Sequence, residues 1–166
     1  SLSENYQIIS ATINKKKGFN AYFDEFKNKN IEFFNEISQS DLFGSNINNK
    51  YLFKGCFPLN PYTSYAIIQL SEILAQNERT LFTFLADENG DSLYNFINEK
   101  NEGLFNIYHI YNYFSSLMSK EETNDIREIW YKCEGAIDRI KNFDLDKINL
   151  LKTISIIKML KDKERI

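Results

Sequence analysis

The chain is poor in the residues on which most chemistry depends. One histidine, His109, and two cysteines, Cys56 and Cys133, stand among 166 residues. With one imidazole and no CxxC pair, the usual spacings of a zinc site are excluded. The cysteines lie far apart in sequence, and a chain of this size has no need of a disulfide, so reduced thiols in a cytoplasmic protein are the default. Two prolines and six glycines leave few turn signals, which disfavours a many-turned β fold and favours long helices. No apolar run approaches the roughly 20 residues that span a bilayer, and no leader pattern is present, so no membrane partner is expected. A net charge of −3 supplies no basic footprint, which disfavours nucleic acid as a partner of this chain. GxxxxGK[ST], GxSxG and kinase signatures are all missing. The chain is therefore expected not to cradle ATP phosphates, nor to act as an enzyme, by itself.

What is present is a core. Hydrophobic residues make up 43% of the chain, with 14 Phe and 10 Tyr, a globular composition. Tyr6, Ile9 and Ile13 recur at helical spacing. From 19 to 38, Phe19, Tyr22, Phe23, Phe26, Phe33, Phe34 and Ile37 form an aromatic stripe, read as one long helix and as core. Residues 39–50 read as a polar loop, and 51–57 as a short β segment. Asn60-Pro61 is a helix start, because Asn caps free amides and proline tolerates the first helical position. Ala66, Ile67, Leu70, Ile73 and Leu74 face inward from that helix. A tight corner at Gln76-Asn77 then leads into a second helix that buries Leu81, Phe82, Phe84 and Leu85. Ser119 and Glu122 fit a capping box opening a helix of about 22 residues, with Glu128 and Lys132 spaced for a surface pair. Asp144 caps a last helix over 145–161, with Ile148, Leu151, Ile154 and Ile157 turned inward. The expected fold is all-α, an irregular bundle of seven or eight helices with room for one short β segment near 51–57.

Candidate functional residues are few. His109 sits in an aromatic helix with no acid or thiol at catalytic spacing, which favours a structural role. Asp87–Asp91 has some of the look of a calcium loop but lacks its ligand alternation and terminal Glu, so a capped turn is favoured. Lys158, Lys161 and Arg165 share a face that reads as solvated. Arg79 stands apart. Arginine is scarce here, four against sixteen lysines, and a flat, forked, permanently charged group has uses that lysine cannot serve. Behind a tight corner in the first turn of a helix, its guanidinium would project past free amides that favour an anion. Asn77 and Glu78 would shape the corner, and Glu78 could hold Arg79 when no anion is bound. The plainer alternative is an exposed first-turn residue.

The run Phe57-Pro58-Leu59-Asn60-Pro61-Tyr62-Thr63, followed by Gln76-Asn77-Glu78-Arg79-Thr80-Leu81-Phe82-Thr83-Phe84-Leu85, resembles a segment of large bacterial P-loop ATPases of the AAA+ and STAND-like group, some linked to phage defence. An Asn-, Ile- and Lys-rich composition fits an AT-rich bacterial genome. In those proteins the segment follows the nucleotide-binding core and begins a helical lid, and Arg79 aligns with the arginine of the "sensor 2" helix. The family pattern often has His at the position of Asn60. The resemblance covers about 30 residues closely, extends over 51–160 and does not reach 1–50. It implies a helical lid-like domain over 51–161; residues 1–50 read as an N-terminal helical segment or linker, and the polar stretch 162–166 as an excised end. It also implies an ATPase core of the same polypeptide as partner, with ATP and Mg held by that parent protein and none in this fragment, and Arg79 as a phosphate sensor. The rival expectation is a helical protein-interaction module with its own protein partner and no nucleotide contact.

Overall fold

The aromatic stripe folds as two helices, not one. In the computed structural model, which describes residues 2–43, 50–74, 79–99, 103–122, 125–140 and 144–161, α1 spans Leu2–Thr12, α2 Phe19–Lys29 and α3 Ile31–Ser38. Asn30 divides the last two. Its amide and its side-chain Nδ2 both donate to the Phe26 carbonyl, at 3.2 and 2.8 Å, while its own carbonyl accepts from Phe34. It thus closes one helix and starts the next, as a short polar side chain that bonds its own backbone does readily.

The chain divides into two compact units, Ser1–Phe57 and Pro58–Ile166. In the first, the stripe packs on Phe57. That ring lies 5.8 Å from Phe19, 5.9 Å from Tyr22, 5.6 Å from Phe23 and 5.2 Å from Phe26, distances at which edge-to-face pairs are favourable. Phe34 continues the cluster to Phe53 at 5.4 Å. The expected β segment near 51–57 is instead a π-helical segment, Lys50–Gly55, closed by the Cys56 amide donating to the Tyr51 carbonyl at 2.8 Å. The wider turn puts Leu52, Phe53 and Gly55 inward together and packs them on α1. Gly55 is required there: a Cβ would sit 2.8 Å from the Ser10 Cβ and still closer to its hydroxyl.

The second unit holds α4 (Pro61–Leu74), α5 (Arg79–Ala86), α6 (Leu93–Asn98), α7 (Ile107–Met118), α8 (Ile126–Ile137) and α9 (Leu145–Lys161). Helices α4, α7 and α9 pack on one another; α8 adds to α7 and α9, and α5 and α6 pair beside α4. The architecture is all-α, with nine α-helices among the described residues, more than expected because 19–38 breaks in two. Asn60 caps α4 as its composition suggests, its Oδ1 accepting from the Tyr62 amide at 3.0 Å. Asp144 does the same for α9 through the Lys147 amide at 3.3 Å.

Two helix readings are corrected. Ser119 does not open a helix: its amide donates to the Ser115 carbonyl and its hydroxyl to that of Ser116, so it closes α7, and α8 begins at Ile126. In α9 the inward side is Ser155, Ile156 and Met159, whereas Ile154 and Ile157 remain 51% and 39% exposed. Two inward positions carry polar residues that solve their own hydrogen bonding, which disguises the periodicity. Ser155 donates to the Leu151 carbonyl at 2.9 Å, and Lys152 donates to Asn112 Oδ1 at 2.6 Å with its ammonium 5.8 Å from the centre of the Tyr111 ring.

Candidate functional site: the start of α5

Helix α5 begins at Arg79, where the sequence places the sensor-like arginine. Asn77 and Glu78 lie outside the described residues, and of Arg79 the backbone alone is described. Past its first turn the helix is anchored. Leu81, Phe84 and Leu85 are buried, while Phe82, expected inside, is exposed because it falls between the inward positions. The Phe84 ring meets Phe105 at 5.5 Å, Tyr113 at 5.2 Å and Phe114 at 5.9 Å. The body of α5 is therefore a fixed base, which a guanidinium carried on that helix would need if it were to act at a set distance.

The far end of α5 is fastened as well. Asp87 accepts from the Asn89 amide at 2.9 Å through Oδ1, and from the Tyr113 hydroxyl at 2.9 Å through Oδ2. These donors hold its carboxyl below the usual carboxylate range, the Asn89 amide foremost. The Asp87–Asp91 stretch is thus a capped turn whose leading carboxylate is already used by protein donors. Ser92 follows as the cap of α6, accepting from the Asn95 amide at 3.1 Å.

His109 is remote from Arg79. It belongs to the first turn of α7, where Nδ1 accepts from the Asn106 amide at 3.0 Å; the neutral ring then carries its proton on Nε2. The ring stacks on Phe105 at 4.6 Å, and burial lowers its pKa. Asn106 in turn accepts from Asn60 Nδ2 at 3.1 Å, and Leu59 pairs with Phe105 in a single parallel bridge. Helices α4 and α7 therefore start side by side, and Arg79 follows the opposite end of α4. Fourteen residues of helix separate the two ends of α4 by about 20 Å.

One cluster escapes sequence reading because its members come from three helices. The Tyr111 hydroxyl donates to Glu134 Oε1 at 2.7 Å, with the Cys133 thiol beside it and Lys152 over the ring. Burial, then these two partners, raise the Tyr111 pKa. The phenol stays protonated and acts as a fixed donor between α7 and α8. Neither cysteine forms a disulfide and both are buried, and Glu128 and Lys132 pair on the surface. Among the described residues no group of three or more His, Cys, Asp or Glu side chains converges as a metal site, and no helix is long and apolar enough to cross a membrane. No protein-family model, curated protein or solved structure matches the chain.

Proposed function

We infer that this chain is a helical lid or regulatory domain of a larger ATP-hydrolysing P-loop protein, contributing Arg79 to a nucleotide site whose phosphate loop and Mg belong to the core of the same polypeptide. The observation that carries the reading is that Leu81, Phe84 and Leu85 bury α5 just beyond Arg79. The resemblance of Asn77–Leu85 to a sensor helix supports the same assignment. On this reading the chain's share of the site is one cation, that of Arg79. That cation would engage the γ-phosphate in a forked pair, offset developing charge during transfer, and bias a two-state closure of the helical region over the core.

The test is steady-state ATP hydrolysis by the parent protein, wild type beside Arg79→Ala, with the 166-residue chain alone as control. The reading expects an inert chain and a variant whose turnover falls by about 10²-fold or more. Turnover and nucleotide affinity both unchanged would remove Arg79 from the mechanism. A second reading, a protein-interaction module, draws on the exposed aliphatic residues of α9; it gains if Arg79→Ala is silent while substitutions on α9 alter assembly.

A further inference from the structure

Helix α9 carries a second, outward stripe that the fold does not use. Leu150, Ile154 and Ile157 are 58%, 51% and 39% exposed, and their spacing of four and three residues puts them on one face. The same spacing continues the face to Asp146 at its start and Lys161 at its end, both exposed. Read along the helix, the face is one acid, three aliphatic side chains and one base. The order is symmetric: Asp146 and Lys161 stand equally far from the midpoint, as do Leu150 and Ile157. Isolated exposed aliphatics need no explanation, but a contiguous row bounded by opposite charges does.

We propose that this face is a self-association surface, on which α9 of a second copy of the chain packs antiparallel. A two-fold interface presents the same patch from both partners, so it must be complementary to itself. Antiparallel pairing meets that condition: Asp146 faces the partner's Lys161, Leu150 faces the partner's Ile157, and the two Ile154 side chains meet near the dyad. Parallel pairing would instead set Asp146 against Asp146 and Lys161 against Lys161. From Asp146 to Lys161 the helix runs about 22 Å, a short contact that sets the dimer in the weak class. The inference is independent of the nucleotide reading, since Arg79 is not on α9.

The test is sedimentation equilibrium of the chain from about 10 µM to about 1 mM, the range in which a small interface associates. The expected result is a reversible monomer–dimer equilibrium. Ile154→Glu should abolish it with helix content by circular dichroism unchanged. Asp146→Lys should weaken it about tenfold or more, and Asp146→Lys combined with Lys161→Asp should restore it. A chain monomeric throughout, or a dimer indifferent to Ile154→Glu, overturns the proposal. Failure of the double charge exchange to restore association overturns the antiparallel arrangement. A monomeric chain whose Ile154→Glu change depresses ATP turnover in the parent protein assigns the stripe to the ATPase core instead.

Discussion

Phe84 is the pin of α5, and truncating it should loosen that helix before anything else. Its ring is fully buried and meets three other rings, those of Phe105, Tyr113 and Phe114, at 5.2–5.9 Å. At about 0.5–1.5 kcal/mol for each aromatic pair, these contacts contribute about 1.5–4.5 kcal/mol. Phe→Ala substitutions in cores cost about 3–5 kcal/mol once the cavity is included. Phe84→Ala should therefore cost about 3–5 kcal/mol. Phe84→Leu keeps most of the buried apolar surface and loses the ring geometry, so it should cost about 1–2 kcal/mol. The assay is urea unfolding followed by fluorescence of Trp130, the single tryptophan of the chain. It sits in α8, within the same compact unit as Phe84, with its Nε1 donating to Ser115 Oγ at 2.8 Å. Amide exchange should show α5 opening first, because Phe84 is the largest fully buried side chain that this helix contributes. A Phe84→Ala chain within about 1 kcal/mol of wild type, with α5 still protected, would refute the anchoring argument and with it the fixed base proposed for Arg79.

Other consequences follow from single side chains. The Thr63 hydroxyl is fully buried in α4 without a hydrogen-bond partner, so Thr63→Val should raise the urea midpoint by an amount worth about 1 kcal/mol; a loss of similar size would mean that the hydroxyl is bonded. Gly55→Ala should destabilise the first unit by about 1–3 kcal/mol through the collision with Ser10, and adding Ser10→Gly should recover part of the loss in the same thermal melt. Lys15 donates to the Gly55 carbonyl at 2.6 Å and to that of Ile13 at 3.3 Å, yet burial lowers its pKa to about 8 from 10.5. Because the folded value lies below the unfolded one, the unfolded chain binds more protons between these pH values, and the Lys15 contribution to stability rises with pH across that window. The unfolding free energy of wild type minus that of Lys15→Met should therefore increase from pH 7 to pH 10 in urea titrations; a constant difference would mean that the amine titrates alike in both states.

The fold class was legible because the strongest signals were local. Asn60 before Pro61, and Asp144 before Leu145, each supply a carboxamide or carboxylate oxygen to free amides two or three residues on, and both caps appear where the pattern puts them. The aromatic stripe was readable as core because any arrangement of 19–38 must bury it, although nothing in its periodicity announces the break at Asn30. The misses have physical causes. A π-helical segment that turns Leu52, Phe53 and Gly55 inward has neither the 3.6 nor the 2.0 period, so a short apolar run falls to the strand reading. The register of α9 was hidden by Lys152 and Ser155, polar residues on the inward side that find partners only once α7 is packed or the helix is formed. The Tyr111–Glu134 bond joins residues 23 apart in sequence, a separation that no motif spacing flags. The corner expected at Gln76-Asn77 lies outside the described residues, and the nucleotide role of Arg79 is a proposal drawn from the resemblance.

The most direct test of the nucleotide reading compares two ligands on one protein. Affinity for ATPγS and for ADP would be measured on the parent protein carrying Arg79, Arg79→Lys or Arg79→Ala. A forked, charge-assisted contact to the γ-phosphate is worth about 1.5–3 kcal/mol, so Arg79→Ala should lose about ten- to a hundredfold in affinity for ATPγS and little for ADP. Arg79→Lys should fall between, since it keeps the charge and loses the fork. An equal loss for both ligands, or none for either, would contradict the assignment of Arg79 as the γ-phosphate sensor.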